Sequence, residues 1–286
     1  MIAKIKILLE MIKFEHTVFA LPFALMGAFL AARGIPGWAV FAWIVLAMVG
    51  ARTSAMGFNR IVDRKFDQAN PRTVDRALPA GAVKLGEAWL LVIGSALLFF
   101  FACYHLNRLT LMISPLALGL TFFYSLTKRF TWLCHVVLGC ALAFSPFGGW
   151  IAVLGDSGGF PWALSAGVLF WVAGFDTVYG CLDADFDRAA GLFSLPARFG
   201  REWAFRLAVA FHLLAFGLFV AAGIQAGLHL VYYLGVAVTA AALFYQHLIV
   251  NPRDLSRIKM SFFTLNGLIS LTLFLATWLD LFCYRR

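Results

Sequence analysis

The sequence predicts an all-α, polytopic membrane protein in which nine transmembrane helices surround a central cavity that opens to the cytoplasm. Of its 286 residues, 62% are hydrophobic and 13% are charged, whereas soluble domains average about 45–50% apolar and about 25% charged residues. The apolar residues form nine stretches, each close to the roughly 20 helical residues that cross a bilayer. None shows the alternation of a barrel strand, so all nine spans must be helical.

The predicted spans follow one another with mostly short connections. A basic segment over 1–14 precedes them and predicts an amphipathic helix at the membrane interface rather than a cleavable signal. No Ser- or Pro-rich linker follows, so we expect a single domain over 1–286, with its longest polar interruptions at 59–86 and 183–202. The nine spans are 16–32, 38–58, 87–106, 109–127, 132–153, 161–180, 203–223, 228–248 and 260–281.

The net charge of +9 is distributed as membrane topology requires. Eighteen of the 23 Lys and Arg residues lie at the amino terminus or in and beside the connections after spans two, four, six and eight. This positive-inside bias places the amino terminus and the acidic connections in the cytoplasm, and the carboxyl terminus outside. It predicts a bacterial inner membrane protein and argues against a nucleic-acid partner, because the basic residues alternate with the spans.

Cysteine and histidine carry no recognisable site signal. The five cysteines are odd in number and scattered, and neither CxxC pairing nor HExxH occurs. The sequence therefore supports neither a disulfide framework nor a zinc site. The six histidines are equally dispersed and are typical of packed or interfacial side chains.

Two acidic clusters sit where spans two and six end. Side chains four residues apart share one helix face, about 6 Å from each other. Crowded carboxylates repel one another and need a cation, and carboxylate and amide oxygens suit Mg²⁺, which is usually held by few carboxylates plus phosphates. The first cluster is Asn59, Asp63 and Asp67; the second is Asp176, Tyr179, Asp183 and Asp187, with Asp185 between.

The simpler interpretation is that these acids form salt bridges with neighbouring Arg64, Lys65 and Arg188 in solvated loops. Two sets in one register weaken it, since eight of the fourteen acidic residues lie between 63 and 87 or between 176 and 187. A shift of 120 residues superimposes the first cluster on Tyr179, Asp183 and Asp187. An internal duplication that faces one shared cavity would explain this register, and chance is the competing explanation.

Basic residues follow both clusters and predict contacts to an anionic substrate. Guanidinium groups bind phosphate or carboxylate bidentately, and an arginine inside a span is costly and by default functional. For Lys128 and Arg129, the alternative is a role only as positively charged anchors at the membrane surface. The predicted substrate-binding residues are Asn59, Arg52, Arg72, Arg76, Tyr124, Lys128 and Arg129.

The chain resembles the UbiA superfamily of membrane prenyltransferases along nearly its whole length. The stretch from Asn59 through Asp67 to Leu78-Pro79 looks like the first signature of that family, and Asp176 through Asp187 to Gly200 looks like the second. The likeness is greatest to 4-hydroxybenzoate polyprenyltransferases, in particular to a branch associated with menaquinone synthesis through futalosine. Where ubiquinone-type members often carry Lys-Ser-Thr, this chain has Phe193-Ser194-Leu195-Pro196, which leaves the acceptor open.

The resemblance implies Mg²⁺-dependent transfer of a polyprenyl group from its diphosphate to a small aromatic acid, in ubiquinone or menaquinone synthesis within the membrane lipid. Metal ions on Asn59 and the four motif aspartates would stabilise the leaving diphosphate. The aromatic ring would attack the resulting allylic cation, with Tyr179 shielding it and Asp176 or Asp185 taking the ring proton. The expected metal set is Asn59, Asp63, Asp67, Asp183 and Asp187. No obligatory protein partner is evident.

Three alternatives remain open at this stage. A transporter of an anionic or phosphorylated substrate is one, but the acids cluster at span ends rather than at the bilayer midplane. An alcohol phosphotransferase is another, but its DGxxAR…GxxxDxxxD pattern is absent. A prenyltransferase with a different acceptor, such as haem, chlorophyll precursors or homogentisate, is the third.

Overall fold

The computed structural model describes residues 2–12 and 17–284, and within these ranges the backbone is helical apart from short connections. The prediction of an all-α membrane protein is confirmed. The helices are α1 (Ile2–Met11), α2 (Thr17–Ala32), α3 (Trp38–Val62), α4 (Arg64–Ala69), α5 (Leu85–Leu106), α6 (Arg108–Thr127), α7 (Cys134–Leu154), α8 (Trp162–Gly180), α9 (Ala184–Ala189), α10 (Leu195–Phe199), α11 (Arg201–Ala226), α12 (Leu230–Ile249), α13 (Ile258–Met260) and α14 (Asn266–Cys283).

Eight stretches among the described residues are long and apolar enough to cross a membrane: α3, α5, α6, α7, α8, α11, α12 and the continuous helix Ile258–Cys283. The first predicted span, 16–32, corresponds to the shorter α2, which has 16 residues; residue 16 itself lies outside the described ranges. At about 1.5 Å per residue α2 is about 24 Å long. Its Phe23 and Ala28 are fully buried, because α2 packs against α7 and α14 in the middle of the bundle.

The predicted interfacial helix over 1–14 corresponds to α1, while residues 1, 13 and 14 lie outside the described ranges. Its last turn buries Met11 against Leu78 and Val83. The Met11 carbonyl also accepts a hydrogen bond of 3.2 Å from Nε of Arg60. This segment therefore contacts the polar connection that follows α3.

The last span departs from a plain α-helix. A π-helical turn, Ser261–Leu265, precedes α14, and such turns are frequent at functional sites. The Gln246 side chain donates to the Ser261 carbonyl at 3.0 Å and to Asn266 Oδ1 at 2.9 Å. Trp171 Nε1 donates to the same Asn266 oxygen at 3.1 Å. This buried network fixes the turn that presents two phenylalanines to the central cavity.

Helices α2 and α7 approach each other at backbone distance. A Cβ added to Gly27 would overlap the carbonyl of Pro146, and one added to Gly149 would overlap the carbonyl of Ala24. Small residues allow such close approach between helices in lipid, where packing rather than hydrophobic burial drives association. The contact sets the position of α7 along one wall of the cavity.

We expect Gly149→Ala to lower thermal stability, because its methyl group would overlap the α2 backbone; overpacking of this kind costs about 1–3 kcal/mol. Gly148→Ala is the matched control. The Cβ position at Gly148 has nothing within 4 Å, and Ala in place of a helical Gly is more stable by roughly 0.5–1 kcal/mol. Thermal unfolding of both variants in detergent measures the difference; equal melting temperatures would contradict the close crossing.

Candidate active site

A cavity of about 410 Å³ lies between α2, α3, α5, α6, α7, α8 and the π-helical turn. Its inner walls are apolar, with side chains such as Ile44, Leu118 and Phe147. Its other end is formed by the connections that follow α3, α6 and α8, and these carry the charged side chains that line the cavity. The cavity therefore has an apolar interior and a charged end, which we call the ionic mouth.

The two acidic motifs share one backbone conformation. Asp63 and Asp183 each stand before a six-residue helix, with φ and ψ of −88° and 0° at Asp63 and of −104° and 2° at Asp183. The amide of Asp67 donates to the Asp63 carbonyl at 2.8 Å, and that of Asp187 donates to the Asp183 carbonyl at 2.7 Å. The motifs therefore correspond as the 120-residue shift predicts, and both face the same cavity.

Each aspartate of the first motif is neutralised by its own arginine. Arg129 Nη2 donates to Asp63 Oδ1 at 2.9 Å and to the Val62 carbonyl at 2.8 Å. Arg76 Nη1 donates to Asp67 Oδ1 at 2.7 Å. Asn59 Nδ2 completes the first pair by donating to Asp63 Oδ2 at 2.9 Å. One of these arginines follows the motif itself, and the other comes from the connection between α6 and α7.

The second motif is paired across the molecule. Arg72, from the connection after α4, grips both carboxylate oxygens of Asp183, with Nε at 2.7 Å from Oδ1. Asn70 Nδ2 donates to Asp183 Oδ1 at 3.0 Å. Lys128 Nζ lies 3.1 Å from Asp187 Oδ2. The ion pairs thus tie three connections into one cluster at the mouth of the cavity.

Burial and pairing act in opposite directions on these carboxyl groups. Burial raises the pKa of Asp63 above its ordinary value, although the charge of Arg129 opposes the shift. Burial would also raise the pKa of Asp183, but the hydrogen bonds and charge of Arg72 outweigh it and hold the pKa below its ordinary value. The bidentate contact with Arg72 therefore favours the ionised form of Asp183.

The salt-bridge partners differ from those of the simpler interpretation. Within the described part of the chain, none of the four motif aspartates pairs with Arg64 or Lys65. Arg188 lies 3.7 Å from Asp185, which also accepts a 2.7 Å hydrogen bond from Arg201. The Asp185 side chain is 74% exposed and does not line the cavity. The expectation that Asp185 takes the ring proton is corrected accordingly.

All the other predicted site residues except Arg129 line the cavity. Arg129 lies behind Asp63 and also donates to the Ser125 carbonyl at 2.7 Å, so its place is that of a counter-ion. Those that line the cavity are Arg52, Asn59, Asp63, Asp67, Arg72, Arg76, Tyr124, Lys128, Asp176, Tyr179, Asp183 and Asp187.

Aromatic rings flank the charged mouth on the cavity side. The guanidinium carbon of Arg72 lies 5.7 Å from the centroid of the Tyr179 ring, and Arg72 Nη1 donates to the Tyr179 hydroxyl at 3.4 Å. The Tyr179 and Phe262 ring centroids are 4.2 Å apart. Aromatic faces attract cations through their quadrupole, so this wall suits a positively charged organic species.

Two groups in the cavity wall escaped the sequence analysis. His135 Nδ1 lies 2.6 Å from Asp176 Oδ2, although the residues are 41 positions apart. No local pattern announces a contact between different helices. Phe262 lines the cavity because the π-helical turn redirects it, and the sequence predicted a regular helix there.

The carboxylates fit a divalent ion that is shared with a phosphate ligand. Among the described residues, no three Asp, Glu, His or Cys side chains group closely enough to hold a metal alone. Mg²⁺ typically takes one or two protein carboxylates plus substrate phosphates, which is what each motif offers. Asp67 is 6% exposed, and its buried Oδ2 has no hydrogen-bond partner in the described ranges. Such an unsatisfied oxygen is a ready ligand.

Comparisons with known proteins give the family. Residues 20–268 match the UbiA prenyltransferase family. The 4-hydroxybenzoate octaprenyltransferase of Nitrosospira multiformis is 33% identical over 90% of this chain and 88% of its own length. That of Aromatoleum aromaticum is 33% identical over 90% of this chain and 86% of its own.

Solved structures share the fold. A UbiA homolog from Aeropyrum pernix K1 superimposes with a TM-score of 0.85 and 38% identity, over 93% of this chain and 98% of that one. A homolog from Archaeoglobus fulgidus, solved with DMAPP and Mg²⁺, gives a TM-score of 0.76 at 19% identity, over 96% and 98%. These matches set aside the transporter and alcohol phosphotransferase alternatives. The protein is an integral membrane prenyltransferase, and the chain belongs to the UbiA prenyltransferase family.

Proposed function

We propose that this protein transfers a polyprenyl group from polyprenyl diphosphate to an aromatic acid, 4-hydroxybenzoate or a related quinone precursor, with Mg²⁺ as cofactor. The observation that carries the proposal is the meeting of both aspartate motifs at the ionic mouth of one apolar cavity. Relatives at 33% identity bear the name 4-hydroxybenzoate octaprenyltransferase. One structural neighbour was solved with a prenyl diphosphate and Mg²⁺.

The mouth of the cavity suits a diphosphate headgroup. Asp63 and Asp67, supported by Asn59, form one metal-binding set, and Asp183 with Asp187 forms the other. Bound Mg²⁺ would neutralise the diphosphate and so favour its departure. The unsatisfied oxygen of Asp67 and the pairing of every motif aspartate with a basic side chain fit these roles.

The basic residues have two partners in this scheme. Arg72, Arg76 and Lys128 pair with aspartates. Their side chains are 27–32% exposed, more than the carboxylates that they contact. Phosphate oxygens are equivalent partners for a guanidinium or ammonium group. With metal ions bound to the aspartates, Arg72, Arg76 and Lys128 would bind the diphosphate instead. No charge would then be left unpaired.

The acceptor binds deeper in the cavity. Arg52 stands eleven residues before Asp63 on α3, about three turns farther into the bundle. A guanidinium there is suited to the carboxylate of a small aromatic acid. This position brings the electron-rich ring beside the first carbon of the prenyl chain. Tyr179 and Phe262 line the reaction zone and shield the allylic cation, while Asp176 accepts the proton that the ring loses.

The proposed function places the protein in a bacterial inner membrane with the ionic mouth in the cytoplasm. The connections after α3, α6 and α8 meet at one end of the bundle, and these carry most of the predicted cytoplasmic basic residues. The positive-inside bias then places the amino terminus inside and the carboxyl terminus outside. Water-soluble diphosphate and acceptor head groups enter from the cytoplasm, and the prenyl tail stays in apolar surroundings.

Asp187→Asn should reduce prenyl transfer by about 100- to 1000-fold, because it removes charge that stabilises the transition state. Asp185→Asn is the matched control: it makes the same chemical change on the same short helix, but at an exposed side chain outside the cavity. Initial rates of product formation by the two purified variants measure the contrast. Equal rates would remove the metal-binding role from Asp187.

Chelation of divalent ions should abolish turnover, and added Mg²⁺ should restore it. A non-hydrolysable prenyl diphosphate analogue and Mg²⁺ should together raise the melting temperature by more than the sum of their separate effects, because each supplies ligands or charge for the other. The Asp187→Asn variant should lose this extra stabilisation. Undiminished transfer in excess EDTA would contradict the proposed cofactor.

The acceptor can be identified by incubating the protein with labelled polyprenyl diphosphate and a panel of aromatic acids: 4-hydroxybenzoate, homogentisate and a hydroxylated naphthoic acid. Mass spectrometry should find prenylated 4-hydroxybenzoate or its close analogue. Arg52→Gln should raise KM for that acid about 10- to 100-fold, as expected for loss of a charged hydrogen bond, with KM for the diphosphate nearly unchanged. Product from homogentisate alone would overturn the acceptor assignment.

A further inference from the structure

His135, on the first turn of α7, and Asp176, on α8, form a buried pair in the cavity wall. Nδ1 of the imidazole lies 2.6 Å from Oδ2 of the carboxylate, and the two side chains are 1% and 16% exposed, respectively. Both residues line the catalytic cavity. The more accessible member is therefore Asp176, and His135 stands behind it.

The ring of His135 contacts Asp176 through Nδ1 and also interacts with the side chain of the neighbouring Cys134. The Cε1 and Nε2 edge of the ring packs close to Gly180, where a Cβ would come within 2.8 Å of Cε1. Nε2 is buried and has no hydrogen-bond partner among the described residues. An ionised carboxylate only accepts hydrogen bonds, so Nδ1 carries the proton that is shared with Asp176. The contact between two different helices that His135 makes through Nδ1 is thus to one oxygen of Asp176.

Asp176 stands where the acceptor ring would lie in the proposed function. It precedes Asp183 by seven residues on α8, about two turns or 10 Å from the ionic mouth. Tyr179 lies between the two positions and also faces the cavity. A carboxylate at this depth is beside the ring carbon that joins the prenyl chain, rather than beside the diphosphate.

We propose that His135 is a positioning residue: its Nδ1–H holds the Asp176 carboxylate aimed at the acceptor ring. This inference rests on the proposed prenyl transfer. The ring's π electrons form the new carbon–carbon bond to the allylic cation, which leaves a positive ring with hydrogen on the attached carbon. That carbon–hydrogen bond then breaks, its electron pair restores the aromatic ring, and the proton passes to the Asp176 carboxylate.

An isotope effect on the ring hydrogen tests this role. In the unmodified protein, loss of the ring proton follows slower steps, so 4-hydroxybenzoate deuterated at positions 3 and 5 should react as fast as the ordinary acid. His135→Leu should lower kcat roughly 100-fold, as misplacement of a reacting group by about 1 Å does. KM for the diphosphate should change little. In that variant the deuterated acid should react measurably more slowly, because proton loss now limits the rate.

Matched variants separate positioning from packing. His135→Asn places an amide donor near the Nδ1 position and should recover much of kcat, with the isotope effect back near one. His135→Gln places its amide farther out and should behave like His135→Leu, which gives a second variant if the leucine protein does not fold. His212 is another buried histidine packed on a glycine of α8, outside the catalytic cavity. His212→Leu should show no isotope effect.

Several outcomes would overturn the inference. A normal kcat in His135→Leu would do so, as would a reduced kcat without an isotope effect in both His135→Leu and His135→Gln. If the unmodified protein forms no prenylated 4-hydroxybenzoate, the proposed acceptor fails and the inference fails with it. That result is distinct, because it is seen before any variant is compared.

Discussion

The architecture depends on the need of buried carboxylates for opposite charge. Asp67, Asp183 and Asp187 are each less than 9% exposed, and an isolated charge in such surroundings is costly. Each is therefore met by a base, and the bases come from connections far apart in sequence. Arg72 spans 111 positions to reach Asp183. The same ion pairs that make the carboxylates tolerable hold three connections together above one cavity.

The helices serve this cluster by delivering its members to one end of the bundle. Helix α3 ends one residue before Asp63, and α8 ends three residues before the equivalent Asp183. The end of α6 leads into the basic pair Lys128 and Arg129. The other end is left apolar, so a long hydrocarbon and a charged headgroup find different surroundings within one cavity. Close packing of α2 on α7 through glycines brings these two helices together in one wall of the cavity. The fold thus separates the chemistry of the headgroup from the storage of the tail.

Most of the fold and of the charged mouth could be predicted from the sequence because both leave local patterns. Apolar length indicated the spans, and the four-residue spacing pointed to the aspartates. The expected single helix face is wrong, because Asp63 and Asp183 each stand between two helices. The exceptions depend on contacts between distant segments. The pairing of Asp183 with Arg72 rather than a neighbour, the His135–Asp176 contact and the π-helical turn at Ser261 all require knowledge of which helices meet. Phe193, where the chain departs from the family pattern, lies outside the cavity, and its backbone amide donates to the Lys128 carbonyl at 2.7 Å.

The one-to-one pairing of acidic and basic side chains also affects which anions bind at the site. The four ion pairs at the entrance balance four negative groups with four positive ones. These pairs therefore exert little long-range attraction on a lone anion. Nucleotides and free phosphate that abound in a cell therefore gain little by lingering there. A ligand that arrives with its own divalent counterions can displace the pairs without creating excess charge. In the proposed reaction the pairs would re-form once the diphosphate leaves with those ions, and the entrance would again be balanced in charge for the next turnover.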